Sequence, residues 1–294
     1  MCRPSSGSST GTSGSEGVGS GVIPASVRAL MPNHPACAEA LSLAKASLPP
    51  SILYHSFRVF LYAQAFMRSF QDDLEENLPS PHPAIFTAPH PGPEPGKRSG
   101  LGISEPPSSP RRPPPSSIPP FPEHILFVGC ILHDIGTAPQ YDAIPERFEV
   151  VGADVAVPTN TTILTHHALQ SQQIKDLWLA LSLHTSPGIA ERMGGVVRAI
   201  RLAVRADFGS YPVPHLNFKA EVLGGGELGA GTGNGLVNVI KWGLPRLEIE
   251  KELGDAVVRQ ALGDRRKAPS ASWPGDLVRA WEEDPETEGV NKGF

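Results

Sequence analysis

Several stretches of the chain place apolar residues at three- and four-residue steps, the spacing of one helix face. In "PSILYHSFRVFLYAQAFMRSF" the stripe runs through Ile52, Val59, Ala63, Phe66 and Phe70, with residue 55 or 56 completing it. Pro50, just ahead, suits a first helical turn, where its missing N–H is not needed. "SQQIKDLWLALSLH" carries Ile174, Leu177, Trp178 and Leu181, then residue 184, on one face. "GGVVRAIRLAVRADFG" repeats the pattern with Val196, Ile200, Val204 and Asp207, ended by Gly209. "HILFVGCILHDIG" is apolar all round, the pattern of a central buried helix, with Gly136 as its stop. A final helix is expected in "KAEVL" or in "GLVNVIKWGLPRLEIEKELGDAVVRQAL", where Pro245 breaks or kinks it. No convincing two-residue alternation and no internal repeat is found, so the expected fold class is all-α.

Composition divides this pattern into segments. Residues 1 to about 25 are Ser, Gly and Thr with little to bury, and read as a disordered leader. Residues 79–122 hold 16 of the 32 prolines, which excludes helix interior and central strand and predicts an extended insertion looping out of the folded domain. Such a segment is usually a spacer, with docking to a proline-binding module as the alternative. "GGGELGAGTGNG" reads as a third flexible loop, because its glycines do not follow a strand as a nucleotide-binding fingerprint requires. The folded helical domain is therefore expected over residues 26–78 and 123–265, with residues 266–294 as a C-terminal tail.

Charge and cysteine use narrow the function classes. A net charge of −5 and a pI near 6.1 supply no basic field, so a nucleic-acid partner is not expected. No apolar run approaches the roughly 20 residues of a membrane span, and the N-terminus lacks the apolar core of a secretory signal. The three cysteines, Cys2, Cys37 and Cys130, are scattered and lack a metal-binding spacing. A reducing, cytoplasmic location is the expectation, with Cys130 read as packing.

Four helices carry ionisable groups on their apolar faces: His55, the adjacent His133 and Asp134, His184, and Asp207. A buried charge is tolerated when it is paired, hydrogen-bonded or bound to a metal. Three imidazoles and two carboxylates brought to one point of a helical bundle form a nitrogen and oxygen ligand set for a divalent cation. Taken singly, each His could be a satisfied core residue, and Asp207 could cap the turn before "FGSYP". Four stripes that all end in a ligand type fit a bland core poorly.

The order His, His-Asp, distal Asp resembles the HD domain, an all-helical family of metal-dependent phosphohydrolases and related enzymes. "HSFRV" and "CILHDIGTAPQYD" are similar to segments of its cyanamide-hydratase-like branch, as are "RFEVVGADVA" and "LALSLHTSPGIAERM". The resemblance covers most of residues 25 to 265, interrupted by the Pro-rich stretch. It implies an HD-type bundle in which His55, His133, Asp134 and Asp207 are metal ligands and His184 sits behind the ligands or faces the substrate. His184 and Asp134 are the residues assigned to catalysis, His184 as proton shuttle because imidazole titrates near neutrality. Zinc is the first choice of ion, with iron or manganese also compatible with the ligands. The implied reaction is attack of metal-activated hydroxide on a small nitrogenous substrate of nitrile type, such as cyanamide going to urea. This chain has "LHTS" where cyanamide hydratases carry "RHQD", and "ADFG" where they carry "DN", departures that leave the metal ligands intact.

The alternative function is a metal-dependent phosphohydrolase acting on a nucleotide or other phosphate ester. His166 or His167 would then be candidate ligands for a second ion, and Arg58, Arg192 and Arg201 candidate phosphate clamps, although surface arginines are the usual case. Glu149 and Asp154 are candidates to line the pocket, against a plain role at a helix start. A third reading is a non-catalytic binding protein that keeps the bundle. The expected partner is a small-molecule substrate, and the sequence leaves a homo-oligomer open.

Overall fold

The computed structural model describes residues 23–76, 121–157, 171–212, 240 and 243–285, and the regular secondary structure among these is all helical, with no strand. The leader up to residue 22, the Pro-rich stretch 79–120, His166 and His167, "KAEVL" and the glycine-rich loop lie outside the described residues. Helices α1 (Ala25–Arg28), α2 (Pro35–Ser47), α3 (Pro50–Glu76), α4 (Glu123–Leu132) and α5 (Phe148–Ala156) are followed by α6 (Ser171–Leu183) and α7 (Gly195–Asp207). Two more, α8 (Ile249–Gly263) and α9 (Trp273–Glu283), follow.

Helix α3 is the axis of the bundle. It packs chiefly on α7 and α4, with α8 along another side and α2 at its start. Its sequence suggests a single apolar stripe, yet every residue from Ser51 to Leu61 is buried. The polar residues on its second side are accommodated by partners rather than water. Ser51 donates to Glu252 of α8, Gln64 donates to Glu123 of α4, and Ser56 Oγ donates back to the Ile52 carbonyl at 3.0 Å. Arg58, fully buried, is held by Asp207 and by two backbone carbonyls. Helix α4 is buried from Ile125 through Leu132, as an all-round apolar segment requires. Burial pushes the Cys130 thiol well above its usual range and that of Cys37 up to about 12, so both behave as small apolar side chains.

The end of α4 differs from the sequence expectation in an informative way. The helix stops at Leu132, and His133, Asp134 and a 3-10 turn over Ile135–Thr137 follow. Gly136 is required here by close packing rather than as a helix stop. A Cβ at Gly136 would lie 2.1 Å from the Phe148 carbonyl oxygen, and one at Gly152 would lie 2.9 Å from the His133 carbonyl oxygen. These two glycines let α5 sit directly on the backbone of the His133–Asp134 turn. From the other side α8 reaches the same turn, where Gln260 Nε2 donates to the Gly136 carbonyl (2.8 Å) and Arg259 Nη2 to the Thr137 carbonyl (2.9 Å).

Helix α7 ends as Gly209 implies. Gly209 adopts φ 72° just past the helix, with its N–H bonded to the Ala206 carbonyl and the Ser210 N–H to the Arg205 carbonyl. This left-handed cap fixes Asp207 as the last helical residue. Pro245 lies in an irregular segment before α8. Helix α9 occupies what reads in the sequence as a tail. Ser272 caps it by accepting from the Gly275 N–H (3.2 Å), and it buries Trp273, Leu277 and Val278. Among the described residues no helix is long and apolar enough to cross a membrane.

The contact at Gly136 makes a sharp expectation for stability. Gly136→Ala should lower the urea-unfolding free energy by about 1–3 kcal/mol or more, because a backbone oxygen cannot move aside as a side chain can. Gly263→Ala, where nothing lies within 4 Å of the added methyl, should change it by less than about 0.5 kcal/mol. Equal effects of the two substitutions, measured by circular dichroism, would contradict this packing.

Candidate metal centre

The five residues singled out from the sequence meet in one buried cluster. His55 comes from the second turn of α3, His133 and Asp134 from the turn after α4, His184 from the residue after α6, and Asp207 from the end of α7. His133 Nε2 lies 3.2 Å from His55 Nε2 and 3.1 Å from Asp134 Oδ2. His55 Nε2 lies 3.5 Å from the same oxygen, and His184 Nε2 lies 3.4 Å from Asp134 Oδ1. Asp134 thus stands at the centre, one oxygen toward His55 and His133 and the other toward His184.

The far side of each ring decides what the near side can do. His133 Nδ1 is 2.7 Å from the Cys130 carbonyl and His184 Nδ1 is 2.6 Å from the Leu181 carbonyl. A carbonyl oxygen only accepts, so both Nδ1 atoms carry the proton. His55 Nδ1 is 2.6 Å from Asp207 Oδ2 and donates to that carboxylate. In the neutral rings all three Nε2 atoms therefore present a lone pair to Asp134. Accordingly, Asp134 Oδ2 is the one buried side-chain nitrogen or oxygen without a hydrogen-bond partner among the described residues.

Acceptors facing a buried carboxylate repel one another unless a cation lies between them. The separations suit a metal ion. Ligand atoms about 2.0–2.2 Å from a tetrahedral centre sit roughly 3.3–3.6 Å from one another, close to the 3.1 to 3.5 Å found among His55, His133 and Asp134. These three residues form a buried group that could hold a metal ion. Without one, a proton serves a single pair. Burial alone would lower the His133 pKa, but the adjacent Asp134 carboxylate outweighs it and raises it. At His55 burial prevails over Asp207 and the pKa falls. Burial would raise Asp134 as well, yet the histidines around it, His133 foremost, hold it well below the usual carboxylate range.

Asp207, read from the sequence as a fourth ligand, has its carboxylate behind His55. Its Oδ2 takes the His55 Nδ1 proton, and Arg58 grips both oxygens, Nε to Oδ1 at 2.6 Å and Nη2 to Oδ2 at 2.9 Å. A carboxylate on the far nitrogen of a ligand histidine orients the ring and raises its basicity. His184 stands beside the trio, and Arg201 Nη1 donates to its carbonyl at 3.0 Å.

The remaining candidates fall in different places. Arg58 and Arg201 are buried rather than on the surface, and Arg201 is paired with Glu191 at 2.8 Å. Arg192 is exposed and donates to the Gly188 carbonyl. Glu149 is buried and accepts from Thr185 Oγ1 at 2.6 Å and from Arg147. Asp154 is exposed and accepts from Trp178 Nε1. A wall that the sequence analysis missed closes the His184 side: Phe148 meets the His184 ring edge-on at 5.7 Å between centroids, and Trp273 of α9 backs Phe148 at 5.9 Å. Its signal was the Ser-Trp-Pro start of α9 followed by Leu277, Val278 and Trp281 at helical spacing.

Comparison of the chain with protein-family models and with curated proteins finds no match.

Asp207 gives this cluster a pH signature. Burial would raise its pKa, but the His55 N–H and the Arg58 guanidinium outweigh burial and depress it. The stabilisation is complete above its unfolded value of about 3.9 and is lost as pH falls through the lower native value. Asp207→Asn leaves Arg58 buried with its charge unpaired and should cost about 3–5 kcal/mol near neutrality. The gap between wild type and variant, followed by urea unfolding from pH 6 to pH 2, should narrow toward acid. A gap that stays constant would show that Asp207 is not held ionised by these partners.

Proposed function

We propose that this chain is a metal-dependent hydratase or hydrolase on an HD-type helical bundle, acting on a small uncharged nitrogenous substrate of nitrile type, of which cyanamide is the simplest example. The observation that carries the reading is the Asp134 carboxylate with Oδ2 lacking any hydrogen-bond partner, surrounded by the Nε2 atoms of His55, His133 and His184, each of which carries a lone pair when its ring is neutral. His55, His133 and Asp134 would hold the ion; zinc, iron and manganese all suit such a set. A divalent ion bound there with an open position would supply an activated water at neutral pH.

The chain's own residues provide the rest of the chemistry. His184 keeps its Nδ1 proton on the Leu181 carbonyl, so only Nε2 is available to take and return a proton. Hydration adds the oxygen of water to the nitrile carbon, one water proton travels through His184 Nε2 to the nitrogen to give the imidic acid, and the remaining O–H proton then moves to the same nitrogen to give the amide. For cyanamide the product is urea. Phe148 and Trp273 keep bulk water from this side of the cluster.

An uncharged substrate is favoured over a phosphate ester by how the nearby cations are engaged. Arg58 is committed to Asp207 and two carbonyls, Arg201 to Glu191 and the His184 carbonyl, and Arg147 to Glu149 and Thr185. A phosphoryl group needs such guanidinium groups for itself.

The deciding experiment combines elemental analysis with a substrate panel. Wild type should carry one divalent ion per chain and hydrate cyanamide or a related nitrile, and His133→Ala should lose both properties. His184→Gln should keep the ion and lose about 10²–10⁴-fold in rate. Metal with phosphate-ester turnover above an Asp134→Ala control, and none with nitriles, would replace the substrate assignment with phosphohydrolysis. Absence of any bound metal after gentle purification would remove the reading altogether.

A further inference from the structure

We infer that Arg58 is the positioning residue of this centre: acting through Asp207, it fixes the ring orientation and the tautomer of His55. The inference rests on the metal-centre reading for its consequence, but its geometry stands independently. His55 and Arg58 are three residues apart on α3 and so share a helix face, and both reach the Asp207 carboxylate from α7. The guanidinium meets that carboxylate as a fork, Nε to Oδ1 at 2.6 Å and Nη2 to Oδ2 at 2.9 Å. Its remaining arm, Nη1, donates to the Leu244 carbonyl at 3.2 Å and the Pro245 carbonyl at 3.1 Å, so the guanidinium itself cannot swing. With Asp207 locked in plane, Oδ2 is aimed at His55 Nδ1, and the Nε2 lone pair is turned toward His133 and Asp134.

Stability alone does not call for an arginine at this position. A buried ion pair can often be replaced by apolar residues of similar volume without loss. What an apolar pair could not do is orient an imidazole and keep its proton on Nδ1. Nor would lysine serve, because a point charge on a flexible stem cannot grip both carboxylate oxygens and two carbonyls at once. Arg246 adds a second support, donating to the backbone carbonyl of Asp207 and lying 3.5 Å from Oδ1. Asp207 is thereby committed on both oxygens, which makes it an orienting carboxylate rather than a group reaching into the trio.

The test uses the full chain with cobalt(II) alone as probe. Arg58→Lys and Arg58→Met are compared with wild type by cobalt titration, by the cobalt ligand-field spectrum and, in metal-free protein, by nitrogen-15 NMR of the His55 ring. Arg58→Lys should keep one cobalt per chain with affinity lowered about 10–100-fold, and its metal-free His55 ring should show mixed tautomers where wild type shows the proton on Nδ1. Asp207→Asn should weaken cobalt binding without removing an oxygen ligand from the spectrum, whereas Asp134→Asn should remove one. Wild-type affinity together with an unchanged His55 tautomer in Arg58→Lys would overturn the inference. If Arg58→Met fails to fold, Arg58→Lys decides. If wild type itself binds no cobalt, the metal-centre reading falls, while the tautomer in metal-free Arg58→Lys still decides the role of Arg58.

Discussion

Everything in this bundle is arranged around one ionised carboxylate kept out of water. Asp134 cannot be buried without opposite charge or hydrogen-bond donors close by, and its neighbours are imidazoles whose donor protons are already given to other acceptors. That assignment of protons is made by the backbone of α4 and α6 and by one distant carboxylate. The elements that supply the rings also set their electronic state. The carboxylate is buried because it sits at the convergence of α3, α4, α6 and α7, and those helices converge because their apolar faces have no other place to go.

The supporting layer is as specific as the centre. The turn that carries His133 and Asp134 is gripped by α5 through backbone contact at Gly136 and Gly152, and by α8 through Arg259 and Gln260. Arg201 holds the carbonyl of His184, and Arg58 holds Asp207. In each case a side chain with several donors satisfies a group that the site needs but that helix geometry leaves open. The arginines around the centre therefore neutralise and orient the protein's own groups.

The helical character of the chain, the four strongest helices and the five convergent residues were legible in the sequence because each depends on local spacing. Apolar periodicity marks a helix face, and a His or Asp on that face is conspicuous. Helix α2 escaped notice because its N-cap is His34, which accepts from the Ala36 N–H, and its buried side is mostly alanine, giving little contrast. Helix α9 was hidden by its distance from the other periodic segments. The role of Gly136 was also hidden, because a stop signal and a site of close approach look alike in one dimension. Least legible was the placement of Asp207 behind His55. Spacing shows that a carboxylate arrives, but which face of a ring it meets depends on Arg58 and on carbonyls near Pro245.

The bonds that define the centre span long stretches of chain: 152 positions between His55 and Asp207, 149 between Arg58 and Asp207, and 186 between Arg58 and Leu244. Contacts of such separation form only after the intervening loops have closed, so they belong to the late part of folding. During synthesis His55 leaves the ribosome long before its partners exist, and Arg58 acquires its final anchor only once Leu244 and Pro245 have followed. The order of assembly is therefore helices first, centre last. An ion taken up by His55, His133 and Asp134 would meet a finished bundle, and would deepen the native state by mass action rather than direct the early collapse.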